Sequence, residues 1–254
     1  MLRFNCSQSP LESRMTYSII ARCPRTGQFG IGIASYSIAI GIYCDGAVRA
    51  NTGVTLSLAS PHPRNTYLAI NLLAQGRTSG QALTQLIAND PDHAYRQIAL
   101  VDRESTAVAH TGANVRKWAG HRIGKGYVAF GDMLAGQQVV DALAAGFEAQ
   151  PDAGLDEQLL AALEAGRTAG GIVGGKGRLP ERSAAMVVWG NRTYNEVDLR
   201  VDMHDRAIEE LRRIYVDYKP SIAYYEERAR SPRNAIPAME FADMLKKQQQ
   251  KETT

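Results

Sequence analysis

Two seven-residue runs of alternating character flank a tight turn near the start of the chain, and no other feature restricts the fold as much. TYSIIAR at 16–22 passes through CPRTGQ, where Pro24 and Gly27 mark the turn, into FGIGIAS at 29–35. In the second run Phe29, Ile31 and Ile33 share one face, and Gly30, Gly32 and Ala34 share the other. Period-two alternation on both sides of a turn predicts a β-hairpin. A face made only of Gly and Ala lets another backbone approach closely, which suits a site at the strand end.

The rest of the chain extends this pattern. GAVRANTGVTLSLAS reads as a third strand, with Val54, Leu56 and Leu58 alternating with Thr55, Ser57 and Ala59. Two helices follow, one over about 66–75 with Gly76 as its stop, the other after a Ser79 cap and burying Leu83, Leu86 and Ile87. RQIALVD, STAVAHTG and GYVAFGDML are further strands. A second helix pair carries Val139, Val140, Leu143 and Phe147, then Leu155, Leu159, Leu160 and Leu163. The Gly-rich AGGIVGGKGRLPE reads as a loop, and SAAMVVW and EVDLRVD as a last hairpin around Gly190 and Asn191. Strands clustered between helix pairs predict antiparallel sheets, two of them, with the helix pairs outside.

A helix bearing Ile208, Leu211, Tyr215 and Tyr218 closes the main domain, expected over 16–218. Residues 1–15 read as a disordered arm, a pro-segment or sequence before a misassigned start. Residues 219–254 read as a helical extension with a disordered KKQQQKETT tail. The aromatic residues of that extension, Tyr215, Tyr218, Tyr224 and Tyr225, could pack on the domain or in a homodimer.

Charge and cysteine usage narrow the function. A net charge of +3, without basic blocks interleaved with aromatics, argues against nucleic acid. No run is long and apolar enough for a membrane span, and the N-terminal segment lacks a secretory apolar region. Three cysteines, Cys6, Cys23 and Cys44, with no C-x-x-C pair, fit reduced thiols in a cytoplasmic protein. Gly170, Gly175 and Lys176 match G-x-x-x-x-G-K, but Gly177 stands where a P-loop needs Ser or Thr. The five histidines form neither H-x-H nor H-E-x-x-H, so no metal and no cofactor is expected.

One dipeptide carries chemistry. If the mature chain opens at Thr16, after Met15, one residue supplies both a hydroxyl and an α-amine with a pKa of about 8. The amine can take the hydroxyl proton, directly or through a water, and Oγ can attack a carbonyl to give an acyl-enzyme. The alternative is that Thr16 is a β-branched residue that merely begins a strand.

The chain resembles a bacterial family of unknown function, numbered ten twenty-eight and placed among the Ntn (N-terminal-nucleophile) hydrolases. The likeness is carried by MTYSIIARCPRTGQFGIGIAS, AIG, RANTGV, INLLAQG, YRQIALVD, HTG, KWAGHRIGKGY, GDMLAG, LLAALEAG, SAAMVV and VDLRVDMH. It implies an α+β fold, a four-layer αββα sandwich of two antiparallel sheets flanked by helix pairs. It also implies Thr16 as nucleophile, Arg49 as the basic residue tuning it, and backbone donors at Ser57, Leu58 and Ala59. Ser35, Asp132 and Ser183 are the implied pocket residues. Members of the family usually carry Asn at the position of Asp132 and Gln at those of Ser57 and Arg182, and their G-G-D-x-R-G loop is altered here to Gly170-Gly171-Ile172. These departures imply a different substrate or a weakened activity.

The expectation is therefore an amidohydrolase acting on a small amide or ureido compound. Its competitors are a non-catalytic binding or assembly protein that keeps the fold, and a metal-dependent hydrolase.

Overall fold

The computed structural model describes residues 15–190 and 194–252. Cys6, the expected arm before Met15 and Asn191 of the last expected turn lie outside these residues. In chain order the elements are β1 (Thr16–Arg22), β2 (Phe29–Ser35), β3 (Val48–Arg49), β4 (Gly53–Ala59), α1 (Pro63–Ala74) and α2 (Ser79–Asn89). There follow β5 (Arg96–Asp102), β6 (Ala107–Thr111), β7 (Ala119–Gly124), β8 (Tyr127–Asp132), α3 (Gln137–Glu148) and α4 (Leu155–Thr168). The remainder is β9 (Ile172–Gly174), β10 (Gly177–Leu179), β11 (Ser183–Trp189), β12 (Asn195–Val201), α5 (Ala207–Arg230) and α6 (Ala238–Glu252).

The first hairpin forms as its alternation requires. β1 and β2 pair antiparallel without slippage from Thr16↔Ser35 to Arg22↔Phe29. They sit at the centre of a six-stranded sheet of order β12-β11-β2-β1-β8-β7. A four-stranded sheet, β3-β4-β5-β6, packs against it. The core between the two contains Ile20, Phe29, Ile31, Ile33, Leu56, Phe130 and Val187, all buried. α3 and α4 cover the outer face of the larger sheet, and α1 and α2 that of the smaller.

Several details differ from the sequence reading. There are three sheets, not two, because the Gly-rich segment read as a loop pairs as a short ribbon of β9 and β10. The run read as one third strand is two strands, broken by a turn in which Asn51 has φ of 53°. AGHRIG, not expected as a strand, forms β7 along the edge of β8. Thr78 rather than Ser79 caps α2, through reciprocal bonds with Gln81 of 3.2 and 3.1 Å.

The Gly/Ala face of β2 serves packing rather than a ligand. A Cβ on Gly30 would meet Leu159 Cδ1 at 2.6 Å, and one on Gly32 would meet Leu159 O at 3.2 Å. Leucine side chains of α4 fill the space at Gly30, and its backbone fills that at Gly32.

The chain divides into two compact units, one through Leu211 and one from Arg212. In the second, α5 continues through Pro220, and α6 takes in much of the segment expected to be disordered. Tyr224 and Phe241 stack with ring centroids 4.0 Å apart, and the Tyr224 hydroxyl donates to Ile236 O at 3.0 Å. Among the described residues no helix is long and apolar enough to cross a membrane.

Candidate functional site

Strand register gathers four of the sequence-selected residues into one row. Ser183 of β11 lies opposite Ser35 of β2, Ser35 opposite Thr16 of β1, and Thr16 opposite Asp132 of β8. Side chains alternate between faces along a strand. Thr16 shares its face with Ile20, Ser35 with Ile33, Asp132 with Phe130 and Ser183 with Ala185, all inter-sheet core residues. The row is therefore the polar last rung of an otherwise apolar layer, and all four members are buried.

The hydrogen bonds within the row are directional. Ser35 Oγ donates to Met15 O at 2.9 Å, which uses its single hydrogen. Thr16 Oγ1, 3.0 Å from Ser35 Oγ, must then be the donor of that pair. Ser37 N–H also donates to Ser35 Oγ, at 3.1 Å. The Met15 carbonyl accepts a second bond, from Tyr36 N–H at 3.1 Å. Thus the carbonyl immediately preceding Thr16 is polarised by two donors. Ser183 Oγ donates to Ser37 O at 2.6 Å and accepts from Ile40 N–H at 3.1 Å, fixing the segment after β2.

Asp132 is the electrostatic anomaly. It is 1% exposed, and burial pushes its carboxyl up to about 8. Bonds from the backbone N–H groups of Thr16 and Asp132 itself and the field of Arg116 oppose that rise without cancelling it. Its Oδ1 is buried with no hydrogen-bond partner. Asp132 also lines a cavity of about 300 Å³ shared with Ala59, Ser60, Tyr95, Asn114 and Arg116. That volume is at the small end of the range of ligand sites. A carboxyl that titrates near neutral pH can donate a proton when neutral and accept one when ionised.

The remaining expected residues are placed differently. Arg49 is exposed on β3, opposite Gly53, at the far end of β4 from Ala59. Six residues of strand separate the two ends, about 20 Å, so the structure does not bring Arg49 to Thr16. A single strand through 48–59 would have placed Arg49 farther still, because β4 reaches the site at Ala59 and Arg49 precedes its other end. The side chain of Ser57 shares a face with Thr55, and its cross-strand partner Ile98 packs against α1 and α2. It therefore points away from the row, with an unpartnered Oγ. Leu58 is in the inter-sheet core, while Ala59, with φ of 67°, lines the cavity.

Arg116 is the residue that sequence reasoning missed. It lies in the segment between β6 and β7, which has no periodic signal. The KWAGHRIGKGY motif begins one residue later and was its only pointer. Among the described residues no group of three or more His, Cys, Asp or Glu converges as metal ligands would. Cys23 and Cys44 are buried free thiols, and Cys44 is pushed up to about 12 by burial.

Fold and row together define an α+β protein of opposed antiparallel sheets with a buried polar cluster at one end of the larger sheet. The model of the DUF1028 family, a family of unknown function, matches residues 16–211, and the chain belongs to this family. The crystal structure of protein SPO2555 from Silicibacter pomeroyi, also of family DUF1028, is similar, with a TM-score of 0.71 and 29% sequence identity. The match covers 81% of this chain and 89% of that one. No curated protein matches the chain.

Proposed function

We propose that the protein is an amidohydrolase of the Ntn type, cleaving a small amide or ureido compound through Thr16. The observation that carries this reading is the pairing of Thr16 Oγ1 with Ser35 Oγ at 3.0 Å, in a row whose next member is an acid. Once Thr16 is the first residue, its α-amine takes the hydroxyl proton and Oγ1 attacks the substrate carbonyl. The oxyanion is met by backbone N–H groups. Thr55 N–H points toward the β3 side of β4, where it bonds Ala47 O. By alternation, Ser57 and Ala59 direct their N–H groups to that same side, beyond the end of β3. Leu58 N–H faces the β5 ladder, which leaves Ser57 and Ala59 as the oxyanion donors in this reading. The amide nitrogen leaves with a proton, and water then hydrolyses the acyl-enzyme ester.

The reading requires residues 1–15 to be gone. Either translation starts at Met15 and the methionine is removed, or the Met15–Thr16 bond is cut. The two donors on the Met15 carbonyl, Ser35 Oγ and Tyr36 N–H, favour attack there. Intact mass of protein expressed from its native gene tests this, with a chain beginning at Thr16 expected. A mature chain that keeps residues 1–15 overturns the mechanism.

A second reading, a non-catalytic binding or assembly protein, is favoured by the peptide link to Met15 and by the 1% exposure of Thr16. A β-lactone electrophile separates the two: it acylates Thr16 in the hydrolase and leaves the scaffold unlabelled.

A further inference from the structure

The backbone N–H of Thr16 donates to the carboxyl of Asp132. The accepting oxygen is Oδ2, since Oδ1 has no partner. Two ladders hold the pair in place. Thr16 stands opposite Asp132 of β8 on one side and Ser35 of β2 on the other, and the registers run on without slippage to Ala21 and Arg22. Both residues are 1% exposed. While the chain is linked through Met15 this nitrogen is uncharged, and burial keeps Asp132 protonated up to about 8. A chain that opens at Thr16 carries an ammonium on the same nitrogen, one hydrogen bond from the acid.

We propose that Asp132 is a positioning residue: in a chain that opens at Thr16 its carboxylate holds the α-amine as an ion pair, so the amine becomes a base only in alkaline solution. This role rests on the amidohydrolase reading, which makes Thr16 the first residue. Opposite charges at hydrogen-bond distance favour each other's charged form, lowering the carboxyl and raising the amine by about one to three pH units. The two groups then titrate as a pair. Once alkali takes the ammonium proton into solvent, the free amine accepts the Thr16 hydroxyl proton as Oγ1 attacks. The strands beside the pair offer Ser35 of β2 and Ala119 of β7, neither of which titrates. Arg116 is the charged group whose field reaches Asp132, and its exposed side chain is screened by solvent. Tyr95 is the other titratable side chain lining the cavity. Arg96 of β5 is taken up by Asp90 at 2.6 Å and by Ser60 O, and Arg182, before β11, lies over the Tyr36 ring.

Competitive acetylation tests this on the mature protein, purified after expression from its native gene and weighed intact to fix its first residue. Acetic anhydride acylates only unprotonated amines, and the tryptic peptide Thr16–Arg22 carries the α-amine and no lysine. In wild type its labelling is expected to rise with pH around a midpoint of about 9 or above. In Asp132→Asn, isosteric but uncharged, the midpoint should be about 8 or below, with labelling at pH 7 at least about tenfold faster. A wild-type midpoint at or below about 8 overturns the ion pair, whether or not the variant folds, and so does one midpoint shared by both proteins. The pH profile of kcat/KM for amide hydrolysis should move with the amine. A displaced amine in a protein that hydrolyses no amide sinks the amidohydrolase reading and leaves the ion pair standing. Hydrolysis with the same pH profile in both proteins does the reverse. A mature chain that keeps residues 1–15 overturns both.

Discussion

The two ends of the six-stranded sheet open on cavities of nearly equal size, about 300 Å³ beside Asp132 and about 330 Å³ beside Cys23 and Tyr127. Size alone would not tell them apart. At the Tyr127 end the polar groups find partners within the protein. The Tyr127 hydroxyl donates to Glu148 at 2.6 Å, and Arg22 donates to Ser105 Oγ at 2.9 Å and lies over the Phe29 ring. Among the buried side-chain atoms of the described residues at that end, Arg22 Nε lacks a partner. At the Thr16 end a whole rung is polar, and the acid that reaches the cavity is left with an unused oxygen. A closed set of hydrogen bonds stabilises a strand end. An open one costs stability and is retained where something outside the fold completes it.

Substitutions at the two ends should separate these roles. The largest effect belongs to Thr16→Ala, expected to lower amide hydrolysis by at least about a thousandfold while costing about 1 kcal/mol of stability through one lost hydrogen bond. Tyr127→Phe should cost a similar 1 kcal/mol and leave turnover unchanged. Equal losses of activity in both variants, measured on the same amide, would erase the distinction between the ends.

Acid–base behaviour should sharpen it. Folding raises Asp132 from an ordinary carboxyl to about 8, so the folded chain keeps a proton that the unfolded chain releases. That contribution is whole below about pH 4 and is lost as the pH climbs to 8. Urea melts should show wild-type stability declining by up to about 1.4 kcal/mol per pH unit inside this window. Asp132→Asn should be flatter, and the same slope in both proteins would move the anomaly elsewhere. Ser35→Ala removes a bond to Met15 O and the bonds from Thr16 Oγ1 and Ser37 N–H, for a loss of about 1–2 kcal/mol in chemical melts.

What could be read from the sequence was whatever carried a period. The hairpin of β1 and β2 announced itself by alternation, and α3 and α4 by their leucine and valine spacing. β7 did not, since Ala119, Gly120, His121 and Arg122 have no strand pattern and are held by the ladder to β8. The three-residue strands β9 and β10 are too short to alternate. At the site, Thr16, Ser35, Asp132 and Ser183 were each identifiable, but their common row depends on strand order, which local sequence does not encode. Arg49 was expected beside Thr16 by resemblance alone, and its distance follows from β4 meeting the site at Ala59 and not at Gly53; Arg116 was overlooked because its segment has no period at all.

The row joining Thr16 to Ser183 also has a timetable. Its members come from strands spread along most of the first unit, so no part of the chain shorter than β1 through β11 can assemble it. At ribosomal rates Ser183 is polymerised on the order of ten to thirty seconds after Thr16, and only then can the segment between Ser37 and Ile40 be fastened. Until that moment the row lacks its last member, although Ser35 and Asp132 already stand on either side of Thr16 in the register. Any reactivity Thr16 owes to this row belongs to the finished sheet and never to the nascent chain.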